Sequence, residues 1–165
     1  MNGPGTASAT LKCELAREVV STFGEVRLRV LGTSMVPTIH PGDLVSVQRA
    51  GLSEISRGEI ALYTREGRLF VHRVVARAGS AEQPLLILRG DRLCQNDPPV
   101  CASELLGRVH FIERGERRLQ PATGLNMWER MILRLLRFSD RATYLYLRLD
   151  AERQRLFPGR TECRV

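Results

Sequence analysis

One serine in this sequence stands in a setting that suits nucleophilic chemistry. Ser34 lies in the segment LGTSMVPTIHPGDLV, between a predicted strand and a turn that contains Pro37 and Pro41. Because proline fixes the backbone angle φ, the two prolines are expected to hold this loop in one shape. Acyl transfer needs a nucleophile that is held in position. Ser34 is therefore the candidate nucleophile, although a lone serine in a turn more often only caps backbone groups.

A candidate general base lies in the segment FVHRVV, where His72 interrupts an otherwise apolar strand. A neutral imidazole can accept the serine proton and return it to the leaving amine. Few other bases are available, because Lys12 is the only lysine among the 25 basic residues and arginine stays protonated. The candidates are His40, His72, His110, a carboxylate and Lys12, which lies in a predicted surface helix outside the motif. The alternative for His72 is a structural histidine of the core.

Two carboxylates follow in the segment LRGDRLCQNDPPV. Asp91 lies in a Gly-Asp turn and Asp97 precedes Pro98. Either side chain could orient the imidazole and stabilise its charged form, as the third member of a catalytic triad does. Taken alone, both segments are simply favourable turns.

The elements that would position these residues are mostly short strands. Hydrophobic residues make up 43% of the chain and aromatic residues only 5%, so the core must be built from Val, Leu and Ile. Apolar residues at helical spacing predict a short amphipathic helix over 11–23, after about ten residues that lack such a pattern. Alternating or apolar runs between Gly/Pro turns predict six strands, over 26–30, 44–47, 60–63, 69–75, 85–88 and 107–113. We therefore expect a mainly β fold, a compact coiled sheet or partial barrel.

The sequence changes character near residue 125. Apolar residues there form a stripe at helical spacing, with arginines on the opposite side. The apolar residues are Trp128, Met131, Ile132, Leu135, Leu136, Leu145 and Leu149. This pattern predicts one or two basic amphipathic helices. Two placements are open: in a membrane interface with Trp128 and the leucines inserted, or packed on the β-domain or on a partner subunit.

Charge and composition limit the partners and cofactors. The formal charge of +7 favours anionic partners. Nucleic acid is not expected, because no helix-turn-helix precedes the strands and no aromatic residues interleave along them. The four cysteines lack metal-ligand spacing, so no metal or other cofactor is expected. Reduced thiols are expected rather than a Cys94–Cys101 disulfide.

The N-terminal segment has neither the charged region nor the apolar run of a signal peptide. No stretch approaches the ~18 to 20 apolar residues that span a bilayer. We therefore expect a cytoplasmic or peripherally membrane-associated protein.

Taken together and in this order, the segments resemble the type I signal peptidase family and its wider clan, which includes self-cleaving SOS-type repressors. The matching segments cover about residues 26–112 and are GTSMVPTIHPGD, RGEIALY, FVHRVV, LRGDRLCQND and LLGRVHF. The resemblance implies a serine endopeptidase of protein or peptide substrates, as in signal-peptide or leader processing. Bacterial members usually carry lysine at the position of His72. Histidine there is similar to the endoplasmic-reticulum, archaeal and spore-former-type branch, which uses serine, histidine and aspartate.

The same resemblance implies the catalytic roles. Ser34 would attack the scissile carbonyl, His72 would take its proton, and Asp91 or Asp97 would support His72.

Oxyanion and substrate contacts are implied in the same way. The Ser34 backbone amide would hold the oxyanion with Thr33 or another nearby donor, because Gly32 stands where some members carry a serine. Met35 and Pro37 would contact the substrate.

Three regions are predicted: an N-terminal tail and short helix over 1–24, a signal-peptidase-like catalytic β-domain over 25–120, and a basic amphipathic helical tail over 121–165. The N-terminal helix is predicted to be too short and too charged to serve as the family's membrane anchor. The large second β-region of many bacterial members is also missing. The alternative to an active enzyme is a non-catalytic peptide-binding module of the same fold, which would bind a partner by strand addition.

Overall fold

The computed structural model describes residues 4–136 and 139–156. Within these ranges the chain forms three α-helices and seven β-strands, with a short 3-10 turn at Leu52–Glu54. In chain order they are α1 Pro4–Phe23, β1 Glu25–Arg29, β2 Leu44–Gln48, β3 Ile60–Arg65, β4 Arg68–Gly79, β5 Pro84–Arg89, β6 Leu105–Arg114, β7 Arg117–Leu119, α2 Met127–Leu136 and α3 Asp140–Leu156. The predicted mainly β fold with helices at both ends is confirmed.

Two elements differ from the sequence-based prediction. Helix α1 begins at Pro4 rather than at residue 11, because proline suits the first turn of a helix and the following alanines favour helix without any apolar periodicity. Strand β7 was not predicted. Its three residues are all exposed, so they carry no alternation, and the strand forms only because it pairs with the end of β6.

The seven strands form one open antiparallel sheet in the order β1-β2-β6-β3-β4-β5, with β7 added to β6. Strand β4 is shared between two neighbours: residues 68–73 pair with β3, and residues from 73 onward pair with β5. The first half of β4 and the whole of β1 therefore each present one edge that no other described strand covers. The two edges belong to strands far apart in the sheet order.

Strand β3 is buried on both of its faces, because successive side chains on a strand point to opposite sides. One core cluster contains Ile60 and Leu62 together with residues of α1, β1, β2 and β6. A second cluster contains Ala61 and Tyr63 together with residues of β4 and β5. The sheet thus carries a hydrophobic layer on each side of its centre.

Turns set the register of the strands that carry the candidate site. Helix α1 ends at Phe23. The following Gly24 has a left-handed φ of 75°, and its amide donates to Val20 O at 3.0 Å, as in a helix C-cap. The β3–β4 hairpin turns at Glu66 and Gly67, which both have positive φ as a two-residue hairpin turn requires. The resulting register places His72 opposite Ala61.

The predicted C-terminal amphipathic region forms two helices. Their buried residues are Leu133, Leu136 and Thr143, and Ile132 is partly buried. The apolar residues of the predicted stripe therefore fall into two groups. Leu136 and Ile132 face the protein, whereas Trp128, Met131, Leu145 and Leu149 are exposed. The side chain of Leu135 lies outside the described residues.

In the part of the chain that the structure describes, no helix is both long enough and apolar enough to cross a membrane. Cys13, Cys94 and Cys101 are free thiols, and Cys163 lies outside the described residues.

Candidate active site

The loop that carries Ser34 leaves the sheet after β1 and returns at β2. Two backbone hydrogen bonds close its neck: Val30 N donates to Asp43 O at 2.8 Å, and Gly42 N donates to Val30 O at 2.7 Å. Gly42 has a φ of 96°, which an L-residue with a side chain adopts only at a cost. The Pro41-Gly42-Asp43 turn therefore closes the loop that carries Ser34.

Asp43 braces the same loop from inside the protein. Its side chain is 4% exposed and forms a bidentate ion pair with Arg114 at the end of β6. It also accepts the amide of His40 at 2.7 Å, while Arg114 donates to Thr38 O at 3.0 Å. Asp43 was not assigned a role from the sequence. Its position at the end of the segment GTSMVPTIHPGD was the feature that could have identified it.

Ser34, His72 and Asp97 form one hydrogen-bonded line. The Ser34 Oγ lies 3.0 Å from His72 Nε2, and His72 Nδ1 lies 2.6 Å from Asp97 Oδ2. A carboxylate only accepts hydrogen bonds, so the tautomer that satisfies both contacts carries its proton on Nδ1. His72 Nε2 is then free to accept the proton of Ser34, which is the geometry that a general base requires.

The line is shielded from solvent at His72 and Asp97 and more open at Ser34. The side chain of His72 is 5% exposed and that of Asp97 is 16% exposed, whereas Ser34 is partly exposed. Phe70 lies beside the imidazole, with ring centroids 6.0 Å apart. This environment restricts the imidazole while leaving Ser34 within reach of a substrate.

Asp97 is held by β3 and β5. Its amide donates to Leu88 O at 2.8 Å. Burial, followed by the charge of Asp97 and hydrogen bonding with it, raises the pKa of the Tyr63 phenol well above its ordinary value, so Tyr63 stays neutral beside the carboxylate. Arg65 donates to the carbonyls of Pro98 and Pro99 at 2.9 and 2.8 Å. Neither Tyr63 nor Arg65 was identified from the sequence: Tyr63 was predicted only as a strand residue, and Arg65 lies beyond the predicted strand 60–63.

Asp91 lies in a different network. Its carboxylate forms a bidentate ion pair with Arg73, at 2.7 and 2.8 Å, and accepts the hydroxyl of Thr38 at 2.6 Å. The neighbouring Gly90 packs against Ser34, since a Cβ on it would lie 2.8 Å from Ser34 O. Asp97, rather than Asp91, accepts the hydrogen bond of His72 Nδ1, and Asp91 joins the loop of Ser34 to β4.

The backbone beside Ser34 offers amides for an oxyanion. Among the described residues, none accepts a hydrogen bond from the amide of Ser34 or Thr33. The carbonyl of Ser34 accepts Arg92 N at 2.8 Å, which anchors this turn. Arg92 also bonds Thr143 and Asp140 of α3, so the third helix contacts the same turn.

An apolar groove of about 770 Å³ runs past Ser34 and His72. Its walls come from α1, from β1 with the residues that follow it, and from β4; among its lining residues are Leu15, Val19, Leu28, Val30, Leu69 and Val71. The groove thus lies between the two uncovered strand edges.

The two predicted substrate contacts are placed differently. Met35 lines the groove but is only 1% exposed. Pro37 is buried within the loop and is not among the lining residues. Lys12, which the sequence analysis placed outside the site, lies on the α1 wall of the same groove.

The other two histidines lie elsewhere. His40 is buried, with its Nδ1 3.3 Å from Asp150 Oδ2 of α3, and the exposed His110 meets the ring of Phe111 edge to face. Within residues 4–136 and 139–156, no three His, Cys, Asp or Glu side chains group closely enough to hold a metal ion.

Comparison with known proteins relates this chain to peptidases. A profile of the family described as Peptidase S24-like matches residues 6–83, a range that includes Ser34 and His72 and ends before Asp97. The signal peptidase complex catalytic subunit sec11 of Neurospora crassa is 36% identical over 77 residues, which are 45% of this chain and 45% of that protein. The signal peptidase complex catalytic subunit SEC11 of Leptosphaeria maculans is 36% identical over 88 residues, 52% of this chain and 50% of that protein. The chain spans about half the length of the curated relatives it matches.

Proposed function

We propose that this chain, which is related to the signal peptidases and the S24-like peptidases, is a serine endopeptidase that uses Ser34, His72 and Asp97. The relatives support a peptidase-like function in general terms. One observation carries the assignment of these residues: the continuous hydrogen-bonded line from Ser34 Oγ through the imidazole to Asp97 Oδ2.

In the proposed reaction Ser34 Oγ attacks the scissile carbonyl while His72 Nε2 takes the serine proton. The same nitrogen then donates that proton to the leaving amine, and an acyl-enzyme forms on Ser34. Water, deprotonated by His72, releases the acyl group and restores the serine. Asp97 keeps the imidazole in the productive tautomer and stabilises its charged form.

The amide of Ser34 is the proposed oxyanion donor, with the Thr33 backbone as the neighbouring candidate. Both amides are without an acceptor among the described residues, so each is available to a ligand. One such donor typically contributes ~3 to 4 kcal/mol to transition-state stabilisation.

The groove supports an extended peptide as the substrate. An uncovered strand edge offers backbone donors and acceptors to a peptide that adds as a further strand. Between the edges of β1 and β4, the lining is formed mostly by Leu, Val and other apolar side chains. We therefore propose a segment with small or apolar side chains before the cleaved bond, as in leader or signal-peptide processing.

Replacement of the two central residues tests the proposal. Ser34→Ala and His72→Ala should each abolish cleavage. The natural substrate can be identified by mass spectrometry of protein N-termini in cells that express the parent chain or the Ser34→Ala chain. A peptide that spans the cleavage site found in this way then serves for kinetics with purified protein.

Matched controls separate chemistry from folding. Ser53→Ala and His110→Ala change the same residue types at exposed positions, and both should cleave like the parent. The Ser34→Ala protein and both controls should unfold at temperatures close to that of the parent, whereas His72→Ala, which removes a buried side chain, need only stay folded at the assay temperature. Undiminished cleavage by Ser34→Ala protein would rule out Ser34 as the nucleophile.

The alternative, a non-catalytic module that binds peptides by strand addition, is supported by the same groove, because neither edge needs a nucleophile. It predicts that the parent chain binds a partner peptide and cleaves no peptide bond, and that Ser34→Ala leaves this binding unchanged.

A peripheral membrane contact through the C-terminal helices is the second part of the proposal. Their outward faces combine arginines with large exposed apolar side chains, which are Met127, Trp128, Met131, Tyr144, Leu145 and Leu149. Such a face suits the boundary between lipid headgroups and acyl chains. Leu133, Leu136 and Thr143 are buried, so a membrane would meet only the outer sides of these helices.

A further inference from the structure

Four arginines converge on a cavity on the side of β4 and β5 that faces α2. The cavity measures about 420 Å³. Its lining residues include Arg57, Arg73, Arg89, Asp91, Arg130 and Leu133. We call it the arginine cavity.

Carboxylates of the described residues balance only part of the positive charge of the arginine cavity. Arg73 and Asp91 neutralise each other as a buried ion pair. In the described part of the chain, none of Arg57, Arg89 and Arg130 has a carboxylate partner. Three guanidinium groups around one cavity repel one another unless an anion lies between them. The cavity therefore favours a negatively charged ligand.

The walls of the cavity are fixed by backbone contacts. Arg73 donates to the carbonyls of Gly58 and Ala122, each at 2.7 Å. Gly58 packs so closely that a Cβ on it would lie 2.1 Å from the carbonyl oxygen of Thr123. Arg130 Nε donates to Leu125 O at 3.0 Å, which leaves its terminal amino groups for a ligand. A planar guanidinium matches two oxygens of a phosphate, which makes arginine the preferred phosphate ligand where geometry matters.

The outer face of α2 adjoins this cavity. Arg130, on the cavity wall, is followed by Met131 and lies one helical turn from Met127, since residues three apart share a helix face. Met127, Trp128 and Met131 are 83%, 70% and 49% exposed. A membrane surface offers both an anion for the arginines and an apolar environment for the exposed side chains, because its phosphates lie directly above its acyl chains. A free phosphate compound would leave the apolar face in water.

We propose that the arginine cavity binds the phosphate headgroup of an anionic phospholipid while Met127, Trp128 and Met131 insert among the acyl chains beside it. This inference rests on the proposed membrane contact and adds the lipid class and the residues that select it. It does not depend on the peptidase chemistry.

Binding to lipid vesicles tests the proposal with the full chain. Trp128 is the only tryptophan, so its fluorescence should shift to the blue on insertion into vesicles of phosphatidylcholine with phosphatidylglycerol, and not with phosphatidylcholine alone. Each of Arg57→Gln, Arg89→Gln and Arg130→Gln should weaken vesicle binding roughly fivefold, and all three together roughly 100-fold.

Arg68→Gln is the matched control, because it removes an exposed arginine at the β3–β4 hairpin, outside the cavity. Its binding should stay close to that of the parent. Thermal unfolding of every variant checks that the fold is retained.

The outcomes separate the two proposals. If the triple variant binds anionic vesicles as tightly as the parent, the arginine cavity is not the lipid site, although the membrane contact stands. If the parent binds neither kind of vesicle, both proposals fail. If inorganic phosphate raises the unfolding temperature of the parent but not of the triple variant, and no vesicles bind, the ligand is a free phosphate and the lipid assignment is wrong.

Discussion

Asp97 and Asp91 come from the same loop, yet they lie in different electrostatic surroundings. Asp97 faces an imidazole, while Asp91 faces a guanidinium that is always charged. His72 becomes charged during the proposed reaction, whereas the charge of Arg73 stays constant. Of the two carboxylates, only Asp97 would therefore stabilise a charge that forms in the reaction. The two residues therefore offer a direct test of function against stability.

We expect Asp97→Asn to reduce kcat/KM by roughly 10³ to 10⁴-fold while the protein stays folded. An asparagine amide can stabilise the imidazole tautomer that carries its proton on Nε2, which cannot accept the serine proton. The measurement is steady-state cleavage of a cognate peptide, with thermal unfolding as the check on structure. Activity within a few-fold of the parent would contradict the role of Asp97.

For Asp91→Asn we expect a loss of stability. The substitution should lower the free energy of unfolding by about 3 to 5 kcal/mol, because it leaves the Arg73 charge buried without its partner. Urea unfolding at neutral pH measures this change. Glu116→Gln removes an exposed carboxylate and should change stability by less than about 0.5 kcal/mol. If Asp91→Asn is as stable as the parent, its ion pair is not structural.

At the scale of elements, β3 positions the loop that carries Asp97. Arg65, the last residue of β3, binds two loop carbonyls and also forms a bidentate ion pair with Glu104 at 2.7 and 2.9 Å. The hydrogen bond from Arg65 is the main cause that lowers the pKa of Glu104 to about 2. The same pair therefore couples β3, the loop and the start of β6.

This pair predicts how stability depends on pH. Glu104 has a lower pKa in the folded protein than the value near 4.3 typical of an unfolded chain, so its contribution is complete above that value and is lost as pH falls towards 2. Glu104→Gln should cost about 1 to 2 kcal/mol at pH 7, because partial exposure screens the pair, and almost nothing near pH 2.

Urea unfolding of the parent and of the Glu104→Gln protein across this pH range makes the measurement. Two stability curves that stay parallel from pH 7 to pH 2 would contradict the assignment of the ion pair.

At the scale of the whole molecule, the groove exists because the open sheet curls. Strands β1 and β4 are separated by three strands in the sheet order, yet residues of both line the same cavity with α1 as a further wall. A peptide between them would exchange water for mostly apolar side chains. The shape of the sheet would therefore set the chemical class of the proposed substrate.

We expect a charged residue at a substrate position inside the groove to reduce kcat/KM roughly 100-fold relative to alanine, because an unpaired charge loses its hydration there, a penalty of about 3 kcal/mol. A peptide series with Ala, Leu, Asp or Lys at each position before the cleaved bond provides the measurement. Equal rates for aspartate and alanine at every position would mean that substrates do not occupy the groove.

The amino-acid sequence by itself determined most of the elements and the motif order. Alternation and Gly/Pro turns predicted six strands, because local periodicity depends only on which faces are buried. The motif segments identified Ser34 and His72, whose contact the sheet then provides. Strand β7 and the first turns of α1 carried no such periodicity, and neither was predicted.

Only the tertiary structure decided between the two carboxylates. Asp91 and Asp97 both suit a turn. Which of them accepts a hydrogen bond from the imidazole depends on the register of the sheet and on which carboxylate pairs with Arg73. The groove and the arginine cavity have the same origin: each joins residues far apart in the chain, and local pattern does not encode such contacts. Sequence pattern indicates which side chains are buried, whereas the register and curvature of the open sheet determine which charged groups and strand edges come together.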